Sequence, residues 1–278
     1  MYTTTFYSFK GGVGRSMALV NAGVELARRK RRVLLVDFDL AAPGLDTFKA
    51  LESIEPSLGI VDFVNSYLES GKSDDVNKYV SRCHTEDESE ELWLMPVGGS
   101  KSQYADQFHH IDWMDLYSSK DGFLLLEDLK QQWKDWVQPD YVLIDSPSGH
   151  TDVGSICTRQ VPDAVAIFYF PNAQNLRGVS RAVKEIRSER TNSEENEIQL
   201  HFIMSNVPDL DDEHQTLGRQ LRAFKTELGL REEPLVVHHN DSLSLLSQAV
   251  FTKDRPNSRL TSEYKEIVDQ IVCRKAMH

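Results

Sequence analysis

Five short runs along the chain are apolar at nearly every position: Val33-Leu34-Leu35-Val36, Tyr141-Val142-Leu143-Ile144, Val165-Ala166-Ile167-Phe168-Tyr169-Phe170, Leu200-His201-Phe202-Ile203-Met204 and Leu235-Val236-Val237. A strand that is apolar on both faces belongs to a parallel sheet covered on each side by helices, so these runs predict buried parallel strands. Thr5-Phe6-Tyr7 and Trp93-Leu94-Met95 are weaker runs that add two further strands. Between the runs the apolar positions change period. Leu19, Val20, Gly23, Leu26 and Ala27 fall on one face of a helix over 16–29, and similar patterns occupy 175–190 and 214–228. A final amphipathic pattern over about 262–273, through Tyr264, Ile267, Val268 and Ile271, reads as a helix packed on the core. The β-α alternation over the whole length predicts an α/β fold, a doubly wound, mostly parallel sheet flanked by helices. Ligands of such sheets bind outside the carboxyl ends of the strands.

Two stretches break the rhythm: 81–91, rich in Asp, Glu and Ser, and 98–122. They are expected to form a surface loop and a partly irregular insertion within one domain spanning 1–278. His109, His110 and Asp112 fall there, but no second cluster has complementary spacing, which favours a solvated loop over a metal site. No internal repeat is present.

The 278 residues are 40% hydrophobic, enough for a sizeable core. No run approaches the roughly 18 apolar residues of a membrane span, and the amino terminus lacks the apolar segment of a signal peptide. A cytoplasmic protein without integral membrane association is expected. Cys83, Cys157 and Cys273 are odd in number and widely spaced, suggesting neither a disulfide framework nor a zinc site. The net charge of −12 opposes a general affinity for nucleic acid or anionic membranes. Arg28 to Arg32 is the strongest basic run. It ends the first helix, where cations complement the helix dipole, so a solvated helix end is favoured over a nucleic-acid patch. Arg177, Arg181, Lys184 and Arg187 recur at helical spacing, but Glu185 and Glu189 interleave them, and nucleic-acid binding is again the less favoured reading.

Chemistry concentrates in three places. Phe9-Lys10-Gly11-Gly12-Val13-Gly14-Arg15-Ser16 lies between the first strand and the first helix, the setting of a phosphate-binding loop. Such loops turn successive backbone N–H groups onto phosphate oxygens, extend a Lys to the β/γ-phosphates and hold Mg²⁺ with a Ser or Thr hydroxyl. Here Ser16 is present, Arg15 replaces the Lys, and Phe9 stands where the strict pattern has Gly. Arg keeps the charge in a bulkier planar fork, which is expected to spare binding and slow catalysis, or else to mark a site kept only for the fold. The second strand runs into Asp37-Phe38-Asp39, and a later one into Asp145-Ser146-Pro147. A lone Asp after a strand is often a helix cap. Three acids beside a glycine loop point instead to a metal-phosphate site.

Lys10-Gly-Gly-Val-Gly-Arg-Ser16, Val33-Leu-Leu-Val-Asp-Phe-Asp39 and Tyr141-Val-Leu-Ile-Asp-Ser-Pro147 together resemble the deviant Walker A, A′ and B motifs of the ParA/MinD family of P-loop ATPases. More narrowly, they resemble the subset whose loop reads KGGVGR followed by Met17-Ala-Leu-Val-Asn21. The likeness covers nearly the whole chain. It includes Pro162-Asp163-Ala164, the strand ending in Asn206 and the block 235–255.

The resemblance implies an ATP- and Mg²⁺-dependent switch in which a homodimer sandwiches nucleotide, hydrolysis releases it, and an unidentified protein partner is regulated. By match to the motifs, Lys10 reaches across the dimer to the partner's phosphates, and Gly11, Gly12, Val13, Gly14, Arg15, Ser16 and Met17 line the nucleotide. Ser16 is a magnesium ligand, Asp37 and Asp145 are further metal contacts, and Asp39 orients water. Asn206 is assigned to adenine, although Asn at a strand end is also a common turn residue. The alternative is a catalytically inactive nucleotide-binding scaffold in a larger assembly. A related tyrosine kinase is disfavoured, since the region after Phe251 carries only Tyr264.

Overall fold

The computed structural model describes residues 1–53, 58–98, 104–189, 197–209, 213–230, 232–244 and 248–275. Arg190, residues 99–103 of the expected insertion, residues 245–247 of the late block and residues 276–278 lie outside the described residues. In chain order the elements begin with strand β1 (Tyr2–Ser8), helix α1 (Arg15–Arg28), β2 (Arg32–Asp37), α2 (Ile60–Ser70), β3 (Ser81–Arg82) and β4 (Glu91–Met95). Helices α3 (Tyr104–His109), α4 (Trp113–Ser119) and α5 (Gly122–Gln132) lead to β5 (Tyr141–Asp145), α6 (Asp152–Ser155) and β6 (Ala164–Tyr169). The chain continues through α7 (Ala173–Glu189), β7 (Gln199–Val207), α8 (Glu213–Leu228), β8 (Leu235–His238), α9 (Phe251–Asp254) and α10 (Arg259–Lys275).

The strands form one eight-stranded sheet in the order β3-β4-β2-β5-β1-β6-β7-β8, parallel throughout except for the β3–β4 pair. From β1 the chain steps outward to β2 and β4. It then returns to lay β5 between β2 and β1, and winds the other way through β6, β7 and β8. The reversal opens a crevice at the carboxyl ends beside β1, where such sheets bind ligands.

Both faces are covered, as the apolar runs predict. On β2, Val33 and Leu35 point into the cluster under α1 and α10, while Leu34 and Val36 point into the one under α2, α4 and α5. On β6, Ala164, Ala166 and Phe168 share the first face, and Val165, Ile167 and Tyr169 pack beneath α7 and α8. Tyr264, Ile267, Val268 and Ile271 of α10 are buried against the sheet, so the last amphipathic helix is a core helix.

The stretch expected to be irregular carries more structure than its composition suggests. Ser81 and Arg82 form a two-residue antiparallel edge strand, and 104–119 contains α3 and α4. These helices are held by few apolar positions, Trp113 and Leu116 on α4 above all, which leaves a weak periodic signal. Asp112 caps α4 by accepting the Asp115 N–H at 3.0 Å. Among the described residues no group of three His, Cys, Asp or Glu side chains is disposed to hold a metal.

One contact fixes the loop after β1 from outside. An added Cβ on Gly178 of α7 would lie 2.1 Å from the Phe9 ring, so Phe9 occupies a notch that only glycine leaves open. We expect Gly178→Ala to cost about 1–3 kcal/mol through overpacking. Phe9→Ala added to it should cost far less than the sum of the two single changes in urea unfolding. Additive costs would show that the notch is not shared.

Candidate functional site

Strand register brings the site together. β1 ends at Ser8, and Asp37 at the end of β2 pairs with Asp145 at the end of β5, which also pairs with Phe6 of β1. The loops leaving these three strands therefore open onto one crevice. In the first loop Gly12 has φ +76 and Gly14 φ +79, left-handed values that disfavour a side chain, so the two glycines let the chain turn sharply into α1. Gly14 caps α1 without a side-chain acceptor, and no acid occupies the first turn. The free N–H groups and helix dipole there suit an anion.

The loop is anchored at several points. Val13 is buried in the core, and the Phe9 ring lies edge-on to His150 with centroids 5.4 Å apart. The Gly149 N–H donates to the Ser8 carbonyl at 3.0 Å, tying this loop to the one after β5. Gly11, Gly12 and Gly14 are exposed and Ser16 is half-buried. Lys10 is exposed, its ammonium 5.7 Å from the centre of the Phe9 ring. The Met17 side chain is buried in the core, which leaves its backbone as the part able to meet a ligand.

Asp37 is 2% exposed and accepts three backbone N–H groups, from Asp39 on Oδ1 at 3.1 Å and from Gly44 and Leu45 on Oδ2 at 3.2 Å each. It organises the loop over 38–45. Burial and the neighbouring Asp145 charge push its carboxyl up to about 8, against the pull of the three donors. Tyr104 of α3 closes over the same loop, its hydroxyl donating to the Leu40 carbonyl at 2.6 Å.

The decisive side chain is Arg15, 7% exposed. Its Nε donates to Asp145 Oδ1 at 2.5 Å, Nη2 to Asp39 Oδ2 at 2.7 Å and Nη1 to Ser8 Oγ at 3.3 Å. Burial disfavours the guanidinium charge, but Asp145 and Asp39 outweigh it and hold its pKa above the ordinary value. Burial pushes the Asp39 carboxyl up while Arg15 pulls it down, with a net rise. A planar fork bonds two separate carboxylates and a hydroxyl at once, which a single ammonium does less well.

Asn206 stands apart from this cluster, at the carboxyl end of β7, with φ +56. His239 Nδ1 lies 2.5 Å from its Oδ1, and His239 Nε2 lies 3.1 Å from Asp241 Oδ1. Sequence reasoning did not single out His239, nor Ser8, nor the Gly178 notch. The His238-His239 pair following a strand run was the available signal for the first; the others are visible only in three dimensions.

The oxygens at hand suit Mg²⁺, a hard cation that takes hydroxyl and carboxylate ligands. The Ser16 hydroxyl, Asp145 and Asp37 are the residues that would hold it. Asp37 is already committed to three backbone donors, and Arg15 takes up one oxygen of Asp145.

The basic run over 28–32 is largely paired locally. Arg28 donates to the Thr252 carbonyl at 2.7 Å, Arg29 pairs with Glu25 and Asp269, Lys30 with Asp87, and Arg32 with Glu91. On α7 Arg181 pairs with Glu185, and Arg177, Lys184 and Arg187 are exposed.

A glycine loop between the first strand and helix of a parallel sheet, facing acids at the ends of the next strands, defines a P-loop nucleotide-binding protein. The chain belongs to the CobQ/CobB/MinD/ParA nucleotide binding domain family, whose description matches residues 4–262, and is a ParA/MinD-like member of it. It is 27% identical over 188 residues to a putative septum site-determining protein MinD of Oltmannsiellopsis viridis. That match covers 67% of this chain and half the length of the relative. Its fold is similar to apo McdA of Cyanothece (TM-score 0.74, 17% identity, 98% of this chain and 99% of that one). It is also similar to the septum site-determining protein MinD of Pyrococcus horikoshii, solved with Mg-ADP (TM-score 0.68, 15% identity, 97% and 95% covered). Among the described residues no helix is long and apolar enough to cross a membrane.

Arg15→Ala would leave Asp39 and Asp145 without their shared cation. We expect it to cost about 3–5 kcal/mol, the usual penalty for breaking a buried ion pair from one side. Asp145→Asn added to it should recover much of the loss in thermal unfolding. A variant as stable as the parent would show that the bridge contributes nothing.

Proposed function

We propose that this chain is an ATP-dependent switch: it binds ATP with Mg²⁺ in the crevice, closes as a homodimer around the nucleotide, hydrolyses it slowly and thereby regulates or positions a protein partner. The observation that carries this reading is the meeting of one glycine loop, one uncapped helix start and Asp37, Asp39 and Asp145 in a single crevice. We read 1–278 as one domain, acting in the cytoplasm.

In this reading the backbone N–H groups of Gly11 to Ser16 and of Met17 cradle the phosphates, and the Arg15 guanidinium adds charge to them. Ser16, Asp37 and Asp145 hold Mg²⁺, which when bound neutralises the phosphate oxygens. Asp39 orients the attacking water. Lys10, exposed at the front of the loop, is free to meet the phosphates of a second copy. Asn206, oriented by His239, contacts the adenine edge.

A second reading, a nucleotide-binding scaffold without turnover, is favoured by the Arg15–Asp39 pair, which engages the acid assigned to water. Calorimetric titration with ATP and ADP, read beside the elution volume, separates the two. ATP with Mg²⁺ should shift the wild type from monomer to dimer, Asp39→Ala should persist as the dimer, and Lys10→Ala should bind but stay monomeric. An elution profile that ATP leaves unchanged in both wild type and Asp39→Ala defeats the switch. Tight binding without phosphate release, unaltered by Arg15→Lys, favours the scaffold, and no binding at all defeats both.

Asn206→Ala should weaken ATP by about 1 kcal/mol, the worth of one hydrogen bond, or several-fold in Kd. Competition between ATP and a triphosphate bearing a different base measures it, and an equal loss for both nucleotides would remove Asn206 from the base site.

A further inference from the structure

Arg15 does more in this structure than replace one phosphate-binding cation with another. It is the first residue of α1, beside the uncapped helix start where an anion would lie, yet its side chain folds back against the strand ends. There its Nε and Nη2 take one oxygen each from Asp145 and Asp39, and Nη1 reaches Ser8. The guanidinium and both carboxylates are well shielded, with side-chain exposures of 7%, 3% and 16%. Two sets of anions therefore compete for one cation: the acids behind the loop and whatever phosphates lie in front of it.

Asp145, one of the residues that would hold Mg²⁺, faces a second competition. A divalent cation on Ser16, Asp37 and Asp145 would meet the guanidinium at close range in a site poor in water, where like charges repel strongly. Occupancy by Arg15 and by Mg²⁺ is then mutually exclusive. We propose that Arg15 is a built-in counter-cation that, held by Asp145 and Asp39, closes Asp145 and hence the Mg²⁺ seat to metal in the nucleotide-free chain, and that a nucleoside triphosphate opens it by drawing the guanidinium onto its phosphates. The opening step rests on the nucleotide reading of the crevice; the closed state rests on the ion pairs alone. Nucleotide and metal load together, and the metal by itself finds no seat. A lysine in this position bonds as a point charge without the fork that holds both acids, so it guards them less well.

The test uses Mn²⁺ as the probe, its free concentration read by electron paramagnetic resonance, on the whole chain. Asp145→Asn measured in parallel supplies the background from surface acids. Nucleotide-free wild type should bind no Mn²⁺ above that background. Arg15→Gln should bind it at least about tenfold tighter than wild type, because the competing charge is gone. Arg15→Lys should fall between them and serves in place of Arg15→Gln if the latter does not fold.

With a saturating non-hydrolysable ATP analogue, whose phosphates themselves bind Mn²⁺, wild type should hold Mn²⁺ more tightly than Asp145→Asn carrying the same analogue and about as well as Arg15→Lys. Nucleotide-free wild type that binds Mn²⁺ as tightly as the Arg15 variants overturns the proposal, as does a variant no better than wild type. If calorimetry shows that the analogue does not bind at all, the nucleotide reading and the opening step fail, while the contrast between nucleotide-free proteins still decides the closed state. If the analogue binds and wild type holds Mn²⁺ no more tightly than Asp145→Asn with the same analogue, the opening step fails with the nucleotide reading intact.

Discussion

Parallel pairing of β2 with β5 puts Asp37 and Asp145 side by side at buried strand ends, and two carboxylates cannot share such a place without a partner for each. Asp37 is satisfied by backbone, through the amides of Asp39, Gly44 and Leu45. Asp145 is satisfied by Arg15, which engages Asp39 in the same grip. The shape of the crevice follows from this division. The loop over 38–45 curls to bring its amides to Asp37, and α1 begins where its first side chain reaches both remaining acids. Removing either solution would leave a buried carboxyl without its partners, so the site's electrostatics and the fold's local order are the same problem.

Much of the fold is legible in the sequence because a parallel sheet covered on both faces demands long apolar runs. Val33–Val36, Tyr141–Ile144 and Val165–Tyr169 all lie in such strands. The two-residue strand β3 left no trace, since an edge strand of Ser81 and Arg82 needs no apolar face. Helices α3 and α4 escaped for a related reason: they are short and contribute few buried positions each. The end of the amphipathic pattern at α10 was clearer because its buried side chains recur over four turns.

At the site, the elements were readable but their interactions were not. The glycine loop and three acids announce themselves by position after strand runs. That Arg15 turns inward, so that one side chain spans residues 130 positions apart, depends on register and burial, which no local pattern encodes. Asn206 was visible as a strand-end residue, whereas its coupling to His239 joins the ends of β7 and β8. The belonging to the CobQ/CobB/MinD/ParA nucleotide binding domain family accounts for the common frame.

The Phe9 ring, seated in the notch at Gly178, links the glycine loop directly to α7. A ring in a close-fitting notch transmits displacement, because withdrawing it opens a void and pushing it in meets backbone. The glycine loop and α7 thus behave as one mechanical piece. The same helix carries Arg177, Arg181, Lys184 and Arg187 on its exposed flank, so one helix bears both the seat of the Phe9 ring and a charged surface.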